Sequence, residues 1–482
     1  MNNKNICNGS CIKKKRWYQL FIFVFIMVFS IVCLAEDNTS ASPKQFTLND
    51  AISYALQHNP SITITQTMVN EQKGVIQSTR SKLLPHVDLN TDTLFSRLNK
   101  GMVPGAPPQF ERFDNILFDT SAGVKMLVWD FKKTKTQLDA SHHALDALKL
   151  FKDRQKEEVV FHVSNLYLRV LTYNDLIKAA RSTEKSLKAL KKRIDLLVKG
   201  GRAIPEDSLK VETRLSTVKS NIALLESGRK TALADLANAM GWDGGDIEVV
   251  YSPSEKSLEA RKLIAEKKQL LLKARRTRVD LAALKKKLLA AKEQRIAAQK
   301  DKLPVITFNA GISGYSAVNP VPFVDIISHF IPNANVGPGS ANTGNWQTDW
   351  HATFHIKFPI FDGGLRAGRI AARRAVESKA KTEVFAKKIE IVKQIRSALA
   401  SLEGSLARVK ANEEALKQAK EVLRVEKLRY KAGKTVIDFV LDAEAQLLNA
   451  KSRLSQAYRS VDVNILAVHL AVGDILLKTS KH

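Results

Sequence analysis

Cysteine is nearly absent: Cys7, Cys11 and Cys33 are the only three in 482 residues. The chain after Cys33 therefore has no disulfide framework, no thiol nucleophile and no thiolate metal site. Aromatic residues make up 7%, which suits long helices with small-residue contacts better than thick globular cores. Proline ends at Pro359, and residues 132–199 hold neither proline nor glycine. Helix breakers are thus missing over stretches far longer than an ordinary globular helix. Acid is short as well. The formal charge is +28, and residues 1–35 supply five of these charges (Lys4, Lys13, Lys14, Lys15, Arg16) with no acid. HExxH and GxSxG are missing. "GKT" at 433–435 has Leu428 where a phosphate loop needs glycine, and it follows a helix. No enzyme, cofactor or metal site is expected, and no nucleic-acid motif accompanies the charge.

What is present begins with a leader. "KKKRW" precedes "LFIFVFIMVFSIVCLA", an apolar run of 16 residues ending at Ala35. That is short of the ~20 residues a membrane helix needs. Residues 1–35 are expected to be an export signal, with an uncleaved anchor as the alternative. Cys33 does not fit a lipid attachment site, because Val32 stands where a small residue belongs.

The rest of the chain is written twice. At an offset of 232, Asp130 meets Asp362, Gly201 meets Gly433, Leu209 meets Leu441, Glu212 meets Glu444, and Gly241 meets Gly473. Upstream the offset is 219, which pairs Pro85 with Pro304. A first repeat is expected over 36–241, with helices about 47–82, 132–199 and 205–241 and strands about 86–98 and 116–130. A linker covers 242–256. The second repeat, 257–482, has helices about 257–302, 364–432 and 434–475 and strands about 305–318 and 349–362.

The strands alternate with period two. The clearest sets Trp350, Ala352, Phe354, Ile356, Phe358 and Ile360 against Asp349, His351, Thr353, His355 and Lys357. Each strand is long enough to cross a bilayer, which takes ~9–11 residues. A soluble half-buried sheet alternates in the same way. Two features favour the membrane. The loops at 99–115 and 319–348 are long beside short strand-to-helix junctions. And four strands cannot close a membrane barrel, which needs at least ~8, so several copies must share one; a trimer would give twelve.

The long helices would each reach about 100 Å at ~1.5 Å per residue. The returning helices carry a coiled-coil stripe: Leu215, Val218, Ile222, Leu225, Arg229, Ala232, Leu236, Ala239, and its counterpart 232 residues later. Gly201 and Gly433 turn each helix back. Each half reads as an antiparallel hairpin hung from two strands. The fold class is mainly α with a membrane β-barrel part.

These phrases, in this order, resemble the TolC family of outer-membrane efflux proteins over nearly the whole chain after the leader. "FTLNDAISYALQHNPSI" (46–62) is similar to the family's opening helix. "FPIFDGGLRAGRIAARRA" (358–375) resembles its strand-to-helix corner, and "LRYKAGKTVIDFVLDAEAQLLNAKSRL" (428–454) its second hairpin turn. The resemblance implies a homotrimer whose twelve strands form one barrel in outer-membrane lipid and whose twelve helices continue as a tunnel through the periplasm. It also implies partners, an inner-membrane transporter and a periplasmic adaptor (membrane fusion protein), in an efflux pump or type I secretion system. Asp130, Asp362, Gly363 and Gly364 fall at the strand–helix junctions. The first junction has Phe131 and Lys132 in place of the glycine pair, so a different geometry is expected there.

The family closes its tunnel with acidic residues at the hairpin turns. The candidates here are Asp207, Asp438, Asp442 and Glu206, with Gly201 and Gly433 as turn residues. A helix N-terminus also favours acids, so a capping role competes. His351 and His355 share a strand face but sit ~13 Å apart, too far for one ion. Residues 261–302 carry 15 Lys or Arg against 4 acids; a solvated face competes with an envelope-polymer or adaptor contact. The rival to a duct is an exported coiled-coil structural protein without a pore. It leaves four matched alternating strands unexplained.

Overall fold

The computed structural model describes residues 43–99, 112–251, 257–318 and 347–476. The leader, its three cysteines and most of both long loops lie outside these residues. The elements run β1 (Lys44–Phe46), α1 (Leu48–His58), α2 (Pro60–Ser81), β2 (His86–Asn99), β3 (Arg112–Trp129), α3 (Lys133–Lys199), α4 (Pro205–Met240), β4 (Ile247–Val249), α5 (Ser257–Ala265), α6 (Lys267–Thr277), α7 (Val279–Lys300), β5 (Val305–Val318), β6 (Gln347–Lys357), α8 (Leu365–Lys431) and α9 (Ile437–Val472). A small compact unit includes 243–248 and 43–45; the other comprises Phe46–Trp242 and Val249–His482.

The duplication is visible in the element bounds. Helices α3 and α8 are each 67 residues, and α4 and α9 each 36, all displaced by 232. Helices α1 and α6, α2 and α7, and strands β2 and β5 are displaced by 219. Strand pairing repeats as well. His86 faces Lys125 in the first hairpin, and Val305 faces Lys357 in the second.

The sheet is antiparallel in the order β2-β3-β5-β6. One cross-strand row is Leu89, Ala122, Ile312 and Trp350, and the next is Val87, Val124, Ala310 and Ala352. The alternate rows are Asp88, Gly123, Gly311 and His351, then Asn90, Ser121, Ser313 and Asp349. Period-two alternation in every strand, in matching register, therefore gives one apolar and one polar face. Val87, Leu89, Ile312, Trp350, Phe354 and Ile356 are exposed on the apolar face. Among the described residues no strand pairs with the outer edge of β2 or β6. Among the described residues no helix is long and apolar enough to cross a membrane.

Each long helix packs along its returning partner. On α4 the stripe residues Leu215, Val218, Ile222, Ala232, Leu236 and Ala239 are buried, as are Leu447, Ala450, Ala457, Val461, Val468 and Ala471 on α9. The two polar interruptions bond to the long helices. Arg229 Nε donates to Asn174 Oδ1 (2.7 Å), and Asn464 Nδ2 donates to the Ser401 carbonyl (3.1 Å). A polar group in a seam thus keeps its hydrogen bond instead of losing it on burial.

Several expected bounds are corrected. The helix expected over 47–82 is two helices, α1 and α2. Pro60 has no amide hydrogen and pushes Asn59 to extended backbone, φ −64°, ψ 124°. The helix expected over 257–302 is three. Its second break, at Arg278 (φ −65°, ψ 104°), has no proline. The two breaks occupy equivalent places and do the same work. Asn59 Nδ2 donates to the Ala239 carbonyl (2.6 Å), and Arg278 donates to the Ala471 carbonyl (3.0 Å). Arg278 is fully buried and also donates to Asp280 and Gln394. The strand expected over 349–362 ends at Lys357, two residues before Pro359, which cannot donate to a ladder. The strand expected over 116–130 starts earlier, at Arg112. The expected linker 242–256 contains β4, which pairs with β1.

Glycine is required where α4 ends. Gly241 has φ +71°, and a Cβ there would lie 2.6 Å from the His58 carbonyl oxygen. Gly201 has φ +68° and open space around it. Gly201→Ala should cost about 1 kcal/mol, the left-handed penalty alone. Gly241→Ala should cost about 3 kcal/mol, because overpacking adds to it. Far-ultraviolet circular dichroism should give the lower melting midpoint for Gly241→Ala; equal midpoints would refute the close contact.

Candidate functional site

The two hairpin turns have the same backbone. Arg202 N–H donates to the Leu197 carbonyl (2.8 Å) and Gly201 N–H to the Val198 carbonyl (3.0 Å). Lys434 N–H donates to the Arg429 carbonyl (2.9 Å) and Gly433 N–H to the Tyr430 carbonyl (3.0 Å). This is a Schellman end, whose left-handed residue is Gly201 in one turn and Gly433 in the other, each at φ +68°.

Beside the turns, an apolar cluster binds both hairpins. It contains Leu187 and Ile194 of α3, Val211 of α4, Leu423 of α8, and Ile437, Val440 and Leu441 of α9. Polar bridges lie around it. Lys210 Nζ of α4 meets Glu206 Oε1 (3.0 Å) and Asp438 Oδ2 of α9 (2.9 Å). Both carboxylates hold the Lys210 ammonium charged above the usual lysine range, Asp438 most strongly. Tyr430 of α8 donates its hydroxyl to Asp207 Oδ2 of α4 (3.0 Å). Farther from the turns, buried Glu444 of α9 accepts from Ser186 Oγ of α3 (2.6 Å) and pairs with Lys427 of α8 (2.6 Å).

Of the four acids singled out from sequence, the fold brings Glu206 and Asp438 onto one ammonium and Asp207 onto a phenol. Asp442 is exposed and has no hydrogen bond or ion pair among the described residues. Sequence reasoning missed Lys210 and Tyr430. Only the i, i+4 spacing of Glu206 and Lys210 was legible, because the other contacts cross between hairpins. These groups can tie the first turn to the second and present carboxylates at one end of the helices.

The strand–helix corners form the other end. Asp130 Oδ2 accepts from Thr134 N–H (2.7 Å), and Asp362 Oδ2 accepts from Arg366 N–H (2.9 Å). Each aspartate caps its long helix. The expected difference between corners is overturned. Phe131 and Lys132 take φ of 55° and 62°, matching Gly363 and Gly364 at 62° and 92°. That conformation costs non-glycine residues roughly 1–2 kcal/mol each. Beside it, Lys300 Nζ donates to the Lys132 carbonyl (3.3 Å) and to Thr136 Oγ1 (2.7 Å), and Lys133 pairs with Asp301 (2.6 Å).

His351 and His355 lie on the polar face of β6, opposite Gly311 and Thr307. Among the described residues no group of three His, Cys, Asp or Glu side chains could hold a metal ion. The basic 261–302 segment pairs part of its charge within the chain. Lys273 pairs with Asp474, Lys286 with Asp146, Lys287 with Glu383 and Arg295 with Glu377.

Burial, and next the Asp207 carboxylate, push the Tyr430 phenol up to about 12. A raised pKa means that the bridge contributes stability below the phenol's ordinary pKa of ~10 and loses it as pH rises toward 12. Asp207→Asn should therefore lower the Tyr430 midpoint, read as the difference in tyrosinate absorbance from a Tyr430→Phe chain. A midpoint that stays put would show that Asp207 does not face the phenol.

The outer membrane efflux protein family model matches residues 51–242 and 270–474. Outer membrane protein TolC of Vibrio cholerae serotype O1 is 20% identical over 439 residues, covering 89% of this chain and 91% of its own length. Among solved structures, CusC, reported in connection with transmembrane channel formation, superposes with a TM-score of 0.71 at 18% identity, over 88% of this chain and 92% of its own. The outer membrane protein VceC from Vibrio cholerae gives 0.67 at 18% identity, over 88% and 96%. The matched family segments span both halves, from α1 to the end of α4 and from α6 to the end of α9, and the chain belongs to the outer membrane efflux protein family of non-enzymatic transport channels.

Proposed function

We propose that three copies of this chain close one twelve-stranded barrel in the outer membrane and continue it as a twelve-helix tunnel into the periplasm. The duct receives substrate from an inner-membrane transporter through a periplasmic adaptor, as the exit of an efflux pump or a type I secretion system. The observation that carries this reading is the sheet. Its apolar face is exposed, and among the described residues both of its edges lack a partner strand. Unpaired edge groups cost several kcal/mol each in hydrocarbon, so a lipid-embedded sheet must close. Four strands close only by joining other copies.

The hairpin turns are the periplasmic gate. Lys210 holds Asp438, and Tyr430 holds Asp207, so the two turns of one chain are tethered to each other. Threefold repetition would bring three copies each of Glu206, Asp207, Asp438 and Asp442 toward one axis, where like charges attract cations and favour separation.

The wild-type chain should run as a heat-sensitive trimer from the outer-membrane fraction. In planar bilayers, Lys210→Ala combined with Tyr430→Phe should raise single-channel conductance severalfold with the trimer unchanged. Soluble monomers would overturn the duct, and unchanged conductance in an intact trimer would overturn the gate.

A further inference from the structure

Helices α1 and α6 are equivalent elements of 11 residues each, and they differ most in charge. Helix α1 has Asp50 and neither lysine nor arginine. Helix α6 has five cations and no acid. Where α1 has Leu48, Asn49, Tyr54, Leu56 and Gln57, α6 has Lys267, Lys268, Lys273, Arg275 and Arg276. The buried positions still correspond: Ala51 and Ala55 on α1, Leu270 and Ala274 on α6. Packing is therefore met in both halves, and it does not require the cations. Two of them, Lys267 and Lys268, stand in the first turn, where the helix dipole disfavours positive charge. Helix α5 continues the same character with Arg261 and Lys262. Of these seven cations Lys273 alone has an ion pair among the described residues, with Asp474. The other six are exposed, and Glu266 is the only acid between Arg261 and Arg276.

We infer that this basic face binds the carboxylates of the cell-wall polymer, peptidoglycan, where the tunnel crosses it. The inference rests on the duct proposed above, which puts the long helices in the periplasm. Charge and position choose the ligand. Six unpaired cations on two consecutive helices, with a single acid among them, suit a partner that carries repeated negative charge. Position excludes the membrane. Arg278, directly after α6, donates to Gln394 of α8 (2.9 Å). From Leu365, where α8 leaves the corner, to Gln394 the helix runs about 44 Å. The headgroup layer adds only roughly 5–8 Å to each side of the hydrocarbon core, and salt screens exposed charges beyond about 8 Å. Lipid headgroups around the barrel are thus out of reach. Peptidoglycan is a fixed polymer with free carboxylates along its peptide stems, in the compartment that the helices cross. Lysine and arginine donate charge-assisted hydrogen bonds to such groups. Each exposed pair is weak, so affinity comes from several acting on one strand of polymer.

The test is cosedimentation of the full-length chain, purified in detergent, with insoluble sacculi. The wild type should sediment with them at low ionic strength and detach as salt is raised. Arg261→Gln, Lys262→Gln, Lys268→Asn and Arg276→Gln together should cut the bound fraction at least about tenfold. Asn and Gln are what α1 carries at the last two of these positions, so the melting midpoint by circular dichroism and the oligomer on native gels should stay unchanged. The charge-conserving set, Arg261→Lys, Lys262→Arg, Lys268→Arg and Arg276→Lys, should bind as the wild type does. Sacculi whose carboxylates have been amidated should lose the wild type to the same degree as the neutral variant does. If the neutral variant sediments like the wild type, or if amidated sacculi hold the chain as well as native ones, the inference is overturned. A trimer from the outer-membrane fraction that never binds sacculi also overturns it and leaves the duct standing. If no trimer is found there, the duct itself falls.

Discussion

Backbone hydrogen bonding along the edge strands of the four-stranded sheet is the constraint on which the rest depends. A strand edge presents a row of unpaired donors and acceptors. Water can satisfy them; hydrocarbon cannot. In this chain the same sheet carries an exposed apolar face, with Leu89, Ile312 and Trp350 in one cross-strand row. An apolar face asks for lipid and open edges forbid it, unless β2 and β6 find strands to pair with.

Duplication supplies a physical answer to that conflict. A half with two strands and a helical hairpin has a left and a right side. Joining two halves satisfies one of each and leaves one of each. Glu157 of α3 is covered, whereas Ile389, its counterpart on α8, is bare. The corners keep the two halves geometrically alike despite their different sequences. Phe131 and Lys132 adopt the backbone that Gly363 and Gly364 adopt freely. An aspartate at each corner satisfies the first amides of its long helix, so strand and helix remain in fixed relation.

Where the helices turn back, the chemistry changes from packing to charge. Apolar residues of all four long helices form one cluster, and the groups around it are ionic or hydrogen-bonded across hairpins. Such surface ion pairs contribute little individually, about 0–1 kcal/mol. The apolar cluster supplies packing between the hairpins at this end, and the bridges add to it.

Much of this was legible in the sequence because it depends on periodicity. Alternation of Trp350, Phe354 and Ile356 with His351 and His355 gives a strand with two unlike faces wherever it is placed. The three-and-four spacing from Leu215 to Ala239 gives a helix with one apolar stripe. Repetition at fixed offsets gives two similar halves. Local rules also located Pro85 and Gly201 as breaks. They passed over Pro60 and were silent at Arg278, where the break depends on a carbonyl of α9 and a carboxylate of α7. The left-handed backbone at Phe131 and Lys132 was likewise out of reach, since it runs against residue preference. Tertiary structure alone decided that Lys210 meets Asp438 and Tyr430 meets Asp207. Those pairs are more than 200 residues apart in sequence, and no local pattern carries the distance between two side chains on different hairpins.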